Sequence, residues 1–296
     1  MTTKRSVAVL GPSTYSEEAA AWLLEGTDWE IVSFRTIAEV FEATLSGRTD
    51  YSVVPVENTF EGSVSLHIDV LVSEPDLPIQ TEWVYPIHVN LMALPSFDGD
   101  LKSVRRVLSH QVAFAQCRKF LAAHLPHAEL EAVDSTAEGA RLLVERGDPY
   151  TVSIGPATAA ARYGLKILAA AIQDHKNNYT RFILAGKERV PRLSPKDGLG
   201  PFPKTTLLLM PGVDTPGGLH QLLSAFAWRR LNLTKIESRP TKRKLGTYYF
   251  YVDVEASMED ALLRFAIEEI RAVGCEVRVL GSYPSYGYPM NAEEEA

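Results

Sequence analysis

Four polar stretches carry side chains that can bind a small anion or donate to a leaving oxygen. They read GPSTYSEE from residue 11, VPVENTFEGS from 54, LSHQVAFAQC from 108 and DHKNNYTRFILA from 174. The first three stand where a predicted strand gives way to a helix, which in an open α/β sheet is where small ligands bind. Taken singly, each stretch is also explained by polar side chains that cap a helix or form a turn. The pair Glu57-Asn58 is harder to explain by capping, because a charge and an amide end one buried strand.

The composition excludes several classes of function. The chain has 296 residues, of which 46% are hydrophobic and 23% are charged, so it is globular and long enough for two domains. Its net charge of −7 argues against a nucleic-acid partner. An amino-terminal apolar run of five residues is too short for a signal peptide, and no stretch reaches membrane-spanning length. We therefore expect a cytoplasmic protein without a nucleic-acid or membrane partner.

Metal and cofactor chemistry has little support in the sequence. Cys117 and Cys275 lie far apart, which favours a reducing compartment and argues against a disulfide framework. His124 and His127 have a metal-like spacing, but Pro126 interrupts the helix between them and no third ligand is near. The nucleotide-binding and serine-hydrolase motifs are absent from the sequence. We expect neither a metal nor a cofactor.

Strand and helix patterns alternate in the first two thirds of the chain. Thr14, Thr36 and Ser135 each precede a glutamate by three residues, the spacing of a helix capping box. Strands separated by single helices predict right-handed βαβ units and a largely parallel sheet. Two such groups meet at the segment 177–185, which predicts two lobes with a cleft between them. The predicted strands are 6–10, 29–34, 51–54, 79–84, 87–94, 104–108, 130–133, 151–154 and 182–185.

The composition changes at residues 186–203, where four prolines and three glycines indicate a linker. The following 205–282 have the order βαββαβ, a ferredoxin-like arrangement. We therefore expect few contacts across the linker, so that a chain ending near Lys196 would keep both lobes and their activity. The predicted units are a two-lobed domain 1–188, a linker 189–203, a small domain 204–285 and a tail 286–296.

Three motifs together resemble the bacterial prephenate dehydratases that carry a C-terminal ACT regulatory domain. They are VPVENTFEGSV (54–64), DHKNNYTRF (174–182) and NLTKIESRPTK (232–242), in the family's order. The resemblance extends from about residue 7 to 283. It implies an α/β fold with a bilobed, periplasmic-binding-protein-like catalytic domain and a ferredoxin-like βαββαβ ACT domain.

The resemblance also implies the reaction, in which prephenate loses water and carbon dioxide to give phenylpyruvate. Because the ring becomes aromatic, no cofactor or metal is needed. Thr180 would donate a hydrogen bond to the departing hydroxyl, and Arg181 would grip the substrate or anchor the polar loop ahead of the strand. Glu57 is expected to be structural, since an anion would repel a dianionic substrate. The implied substrate-binding residues are Asn58, Thr59, Thr14, Ser109, Gln116, Asn178 and Phe182.

The sequence departs from the family pattern in three places. GPSTYS is one residue shorter than the family's first loop, which affects Thr14 and Ser16. Val112 stands where glutamine is usual, although Gln116 is kept. Gly218 stands where alanine is usual at the start of a helix in the small domain.

For the small domain, the resemblance implies feedback inhibition by L-phenylalanine and at least a dimer, either a homodimer or a homotetramer. A glycine pair at a helix start would receive the amino-acid carboxylate. Without the resemblance, Glu237 and Arg239 would be better interpreted as a solvated strand-end pair, with Pro240 merely ending the strand. Two other functions stay open: an arogenate dehydratase and a non-catalytic amino-acid sensor. The implied effector residues are Gly217, Gly218, Leu219, His220, Asn232, Glu237, Ser238, Arg239 and Pro240.

Overall fold

A computed structural model describes residues 4–73, 77–191, 193, 201–212, 215–241 and 248–288. The helices are α1 Tyr15–Leu23, α2 Ile37–Leu45, α3 Ser65–Ser73, α4 Gln111–Gln116, α5 Arg118–His124, α6 Thr136–Arg146, α7 Ala157–Tyr163, α8 Gly218–Ala227 and α9 Ala261–Ala272. The strands are β1 Ser6–Leu10, β2 Glu30–Phe34, β3 Tyr51–Asn58, β4 Gly62–Ser63, β5 Ile79–Pro86, β6 Asn90–Ala93, β7 Arg106–Ser109, β8 Glu129–Ala132, β9 Thr151–Gly155, β10 Lys166–Ala169, β11 Tyr179–Gly186, β12 Phe202–Pro211, β13 Leu233–Pro240, β14 Tyr248–Val254 and β15 Cys275–Tyr286.

The first lobe is built on β2, β1, β3, β11 and β5, in that order across the sheet. β1 is parallel to β2 and β3, whereas β11 is antiparallel to both of its neighbours. The expectation of a largely parallel sheet was therefore wrong, because the chain returns from the second lobe in the opposite direction. The predicted helix caps formed: Thr14 and Thr36 accept from the backbone N–H three residues on.

The second lobe is a five-stranded mixed sheet in the order β10, β6, β9, β7, β8. Ser135 caps α6, and Gly147 ends it in the left-handed conformation that favours glycine. The single helix expected near 109–124 is two helices, α4 and α5, which meet at Cys117. The short strand β10 was not predicted.

Two antiparallel crossings join the lobes. The backbone N–H of Ile87 donates to the carbonyl of Asn178 at 2.7 Å, and that of Ile172 donates to Val89 at 2.8 Å. A third contact lies away from the crossings: Glu18 Oε1, on α1 of the first lobe, accepts from the N–H of Thr158 on α7 at 2.9 Å. The cleft is thus bounded by a hydrogen-bonded hinge.

The small domain has the predicted βαββαβ order, with β13, β14, β12 and β15 in one sheet. That sheet does not stop at the domain's edge. β15 continues to Tyr286 and pairs in parallel with β5, Ser285 opposite Glu82 and Tyr286 opposite Trp83. Ten strands therefore form one sheet across both domains.

The apolar core also crosses from one domain to the other. One buried cluster combines Phe41, Ile68 and Leu71 of the first lobe with Leu208 and Tyr251 of the small domain. The expectation of few contacts between the two domains was wrong. The proline and glycine content of the linker does not determine which surfaces the later strands pack against. Linker residues 192 and 194–200 and tail residues 289–296 lie outside the described part of the chain.

No helix within the described ranges combines the length and the apolar character needed to cross a bilayer. The same ranges bring together no group of three histidine, cysteine, aspartate or glutamate side chains that could hold a metal ion. Both cysteines are buried, and burial raises the pKa of Cys117 to about 12, so this thiol stays protonated at neutral pH.

Candidate active site

Thr180 and Asn58 face each other across β11 and β3, at the end of the sheet nearest the hinge. The Asn58 amide nitrogen donates to the Thr180 hydroxyl oxygen at 2.9 Å. Thr180 is 8% exposed, so this bond lies in a poorly hydrated position. Thr180 and Arg181 belong to β11 itself, whereas the sequence predicted a polar loop ahead of the strand.

The orientation of the Asn58 amide is fixed by its surroundings. Its Oδ1 accepts from the backbone N–H groups of Phe60 at 2.9 Å and Glu61 at 3.1 Å. Because a backbone N–H can only donate, the amide nitrogen must point the other way, toward Thr180 and toward Asn178 Oδ1 at 2.9 Å. The Thr180 oxygen is thereby used as an acceptor, and its own hydrogen remains available to donate to a bound molecule.

This pair continues into the second lobe. The Asn178 amide nitrogen donates to Gln116 Oε1, on α4, at 3.1 Å. A chain of hydrogen bonds therefore runs from Thr180 through Asn58 and Asn178 to Gln116, from one lobe to the other. Beside it lies a cavity of about 180 Å³, lined by Phe60, Glu61, Ala115, Gln116, Gln173, His175 and Asn178.

The cavity gives a structural role to His175, which belongs to the DHKNNYTRF stretch. His175 stacks on Phe60 with ring centroids 4.9 Å apart, which closes the space between the hinge and the β3–β4 turn. Gln173 lines the same cavity and accepts from the N–H of Val89 at 3.0 Å. Sequence reasoning missed Phe60, Gln173 and His175 as lining residues, although Phe60 and His175 lie within quoted motifs and Gln173 directly precedes one.

Four predicted substrate-binding residues have their polar or aromatic groups in use elsewhere. The Thr14 hydroxyl caps α1 and donates to the carbonyl of Leu10. Ser109 is fully buried and donates to the Ile154 carbonyl at 2.7 Å. The remaining two brace the site strand: the Thr59 hydroxyl bonds to the backbone of Tyr179, and Phe182 stacks on Trp83 with centroids 5.7 Å apart.

Arg181 faces the side of the sheet opposite Thr180, because side chains alternate along a strand. Its Nη1 donates to Glu82 Oε2 at 2.7 Å and to Asp253 Oδ2 at 2.5 Å. Nη2 lies 3.0 Å from Glu57 Oε2 without hydrogen-bond alignment, and Nε has no partner among the described residues. This placement does not support a direct grip on substrate. It favours the alternative role of anchoring the chain that carries Thr180.

The Glu82 carboxylate beside Arg181 stays ionised despite its burial. Burial by itself would raise the pKa of Glu82, but Arg181 and Lys204 outweigh it and hold that pKa below its ordinary value. Burial would likewise lower the pKa of Arg181, yet Asp253 and Glu82 raise it well above its ordinary value. The guanidinium is therefore charged at every physiological pH.

A second cavity of about 260 Å³ lies in the small domain at the start of α8. Gly218 and Leu219 line it, together with Phe250 and the turn Gly274-Cys275. Gly217 is the N-cap of α8, in the left-handed conformation and without a side-chain bond. The N–H of Gly218 donates to the Thr215 carbonyl at 2.9 Å, so Leu219 and His220 carry the first N–H groups without a capping side chain. A Cβ at position 218 would meet Thr215 Oγ1 at 3.2 Å, so the usual alanine would need only a small adjustment there.

The other predicted effector residues lie apart from this cavity. Along β13, alternate residues are half-buried and exposed, so Glu237 and Arg239 share one face and Ser238 lies on the other. Glu237 accepts from Ser63 at 2.6 Å, and Arg239 donates to Asp69 at 2.9 Å, both partners being in the first lobe. The strand-end pair is therefore not solvated; it contacts the first lobe. His220, Asn232 and Pro240 are exposed, and Asn232 bonds to Glu255.

Comparison with known proteins agrees with the resemblance. The family model "Prephenate dehydratase" matches residues 7–190, and "ACT domain" matches 206–272. A prephenate dehydratase of Bacillus subtilis is 41% identical over 281 residues, which cover 95% of this chain and 99% of the relative.

Solved structures are similar over nearly the whole chain. One is the prephenate dehydratase of Arthrobacter aurescens in complex with L-Phe, at 32% identity and a TM-score of 0.83, covering 98% of this chain and 91% of that one. Another, described as a novel type of quorum quenching acylase, has 29% identity and a TM-score of 0.82, covering 95% of this chain and 98% of that one.

Proposed function

The chain belongs to the prephenate dehydratase family, and from that premise we propose that Thr180 and Asn58 form the centre at which prephenate loses water and carbon dioxide. The observation that carries this assignment is the direction of one hydrogen bond. Asn58 donates to Thr180, which leaves the threonine hydrogen available to the departing oxygen. The cavity beside the pair would hold the ring and its carboxylates.

The reaction needs a bond to carbon dioxide and a bond to hydroxide to break while the ring becomes aromatic. The electron pair of the ring carboxylate bond moves into the ring and expels the hydroxyl at the opposite carbon. A threonine hydroxyl is a weak acid, so Thr180 would stabilise the developing hydroxide by a hydrogen bond, and a water molecule would complete its protonation. Asn58 would strengthen that donor, since an oxygen that accepts a bond becomes a better donor.

The substrate carboxylates would meet neutral donors. The amides of Gln116, Gln173 and Asn178 line the cavity. Neutral amides solvate an anion less than water does, which favours a carboxylate that loses its charge as carbon dioxide. Closing of the lobes about the hinge would exclude water further, because the site draws residues from both lobes and from the segment between them.

The activity is tested with purified protein and prephenate, by following the ultraviolet absorbance of phenylpyruvate. Arogenate, which carries an ammonium in place of the keto group, is the comparison substrate. We expect faster turnover of prephenate. The acylase with a similar fold shows that the fold alone does not fix the reaction, so the product must be identified. A protein that binds prephenate without forming phenylpyruvate would contradict the proposal and favour a sensor.

We also infer that the small domain, residues 204–285, binds L-phenylalanine at the cavity below α8 and thereby inhibits the catalytic domain, residues 1–188. Three observations support this: the match to the ACT family, the relative solved with L-Phe, and a cavity whose helix start offers N–H groups. Ser238 and Pro240 face outward on β13. They would complete the site from a second copy of the chain, so we propose at least a homodimer, working in the cytoplasm.

Calorimetry with L-phenylalanine tests the effector site. Leu219 lines the cavity and is 40% exposed, whereas Leu262 on α9 is 47% exposed and lies outside it. Leu219→Ala should weaken binding and inhibition about tenfold or more by removing apolar contact area. Leu262→Ala is the matched control and should leave both unchanged. Equal effects of the two substitutions would place the effector elsewhere.

A further inference from the structure

Six charged side chains form a cluster between the two domains. Glu57, Glu82 and Arg181 come from the first lobe, and Lys204, Lys235 and Asp253 come from the small domain. These six side chains are three cations and three anions, and Lys235 also forms an ion pair with Glu237 at 3.6 Å. All but Glu57 have side chains no more than 10% exposed. Removing one member therefore leaves a buried charge uncompensated, which is a larger disturbance than breaking a surface ion pair.

Two members of the cluster are direct neighbours of the site pair. Arg181 follows Thr180 on β11, and Glu57 precedes Asn58 on β3. The two strands pair Arg181 with Glu57, next to the pairing of Thr180 with Asn58. Because side chains alternate, one couple faces the cleft while the other faces the small domain. The register of the two strands shifts immediately afterward, between Arg181 and Phe182. The backbone segments that carry the Arg181–Glu57 couple are therefore the same segments that carry Thr180 and Asn58.

The small domain holds both members of this couple. Asp253 Oδ2 accepts from Arg181, while its Oδ1 accepts from Thr206 at 2.7 Å, so the carboxylate itself is fixed. Lys235 Nζ donates to Glu57 Oε1 at 2.9 Å and also bonds to Ser63 on β4. Arg181 has no further hydrogen bonds on Nε or Nη2 in the described chain. Its direction therefore depends on Glu82 and Asp253, which share Nη1.

We propose that Asp253 and Lys235 are positioning residues for the reaction at Thr180. They hold Arg181 and Glu57 from the small domain and thereby set the distance between Thr180 and Asn58. The inference rests on the proposed function, because it concerns the same site. It assigns to two small-domain residues an effect on the chemical step, although neither touches the cavity in which prephenate would bind.

The test uses Asp253→Asn and Lys235→Met in the full chain. The first substitution keeps the shape of the side chain and removes the charge, and the second keeps the apolar stem of the lysine. We expect kcat to fall about tenfold or more while KM for prephenate changes less than twofold, since alignment of the donor matters most in the transition state. Lys235→Arg, which retains the charge, should recover most of the rate.

A matched control lies in the same domain. Glu269 forms an ion pair with Arg229 at 2.6 Å and has no contact with the cluster, so Glu269→Gln should leave kcat unchanged. Melting temperatures are recorded for every variant to show that it folds. If Asp253→Asn does not fold, the kcat and KM of Lys235→Met provide the test.

A double-mutant cycle separates positioning from general loosening. In the Thr180→Ala background, Asp253→Asn and Lys235→Met should cost little further rate, because the group that they position is gone. An equal loss in both backgrounds, or no loss in a folded variant of the wild type, would overturn the proposal. A wild-type protein that makes no phenylpyruvate would instead overturn the proposed function on which it rests.

Discussion

At the scale of single residues, the proposed chemistry depends on which atom of Asn58 faces Thr180. Two backbone N–H groups hold the amide oxygen, so the amide nitrogen is the only group left to meet the threonine. The site therefore presents a donor whose direction is fixed by the backbone, not by the substrate. Preorganised donors of this kind are worth most in water-poor positions.

Replacing Thr180 tests the donor itself. Thr180→Ala removes one hydrogen bond made in the transition state and leaves the cavity walls in place, so kcat should fall about 100-fold with KM little changed. Thr180→Ser keeps the hydroxyl and should retain a substantial part of the rate. Steady-state kinetics with prephenate measures both. Equal losses in the two variants would mean that the hydroxyl does not matter.

Replacing Asn58 tests the direction of the bond. Asn58→Asp keeps the acceptor for Phe60 and Glu61 but turns the donor toward Thr180 and Asn178 into a second acceptor. Thr180 would then donate to the aspartate and no longer to the substrate, and the added charge would repel a dianion. We expect kcat/KM to fall about 1,000-fold or more, by both effects together. Activity that recovers at low pH, where aspartate is protonated, would agree with this explanation.

The motifs could predict which residues lie close together, but they could not predict the directions of the side chains. Asn58, Gln116, Asn178 and Thr180 do lie together, as expected. Arg181 differs because its direction follows from the register of β11 and from Asp253, 72 positions away in the sequence. A local pattern carries no information about such a partner. For the same reason the exposed-looking pair on β13 turned out to contact the first lobe.

At the scale of the elements, β15 serves two domains. Its first part completes the small-domain sheet against β12, and its last residues pair with β5 of the first lobe. The predicted strand ended at residue 282, two residues before a proline, which cannot donate a backbone hydrogen bond to a sheet. In the structure Thr81 donates to the Pro284 carbonyl at 2.8 Å and Ser285 donates to Glu82 at 2.8 Å, so the strand continues past it.

A truncation tests this second role of β15. A chain ending at Tyr283 keeps the β12 pairing through that residue and loses the pairing with β5 and the bond from Tyr286 to the Leu193 carbonyl. Each lost hydrogen bond contributes about 1 kcal/mol, so we expect the melting temperature to fall by roughly 5–10 °C. A chain ending at Tyr288 is the control and should melt like the full chain. An unchanged melting temperature in the shorter chain would show that the pairing adds no stability.

At the scale of the whole molecule, the charges between the domains make stability depend on pH. Burial alone would raise the pKa of Glu237, but hydrogen bonds from Ser63 and Arg239 hold it below the ordinary 4.5, and the pKa of Glu82 is lowered as well. Carboxyls with a lower pKa in the folded state stabilise the protein above the pKa of the unfolded chain. Their contribution is lost as the pH falls through the folded value.

We therefore expect the melting temperature to fall steeply below about pH 4.5 and to respond little to these two groups between pH 6 and 8. Glu237→Gln removes one titrating group and should make the acid side of the profile shallower. Glu268→Gln, on the exposed face of α9, is the control and should leave the profile as it is. Thermal unfolding from pH 3 to pH 8 gives the comparison. A slope below pH 4.5 that is identical in all three proteins would exclude Glu237 as a contributor.

Glu82 belongs to the first lobe, yet most of its hydrogen-bond partners belong to the small domain. They are Lys204, Tyr283 and Ser285. Exchange of the small domain between relatives must therefore preserve the partners of Glu82. A small domain grafted from a relative at the linker brings its own residues at those three positions, and a mismatch would leave a buried carboxylate without compensation. The exchangeable unit is the small domain together with the β5 edge that it covers. Chimaeras designed on the linker alone would divide one sheet between two parents.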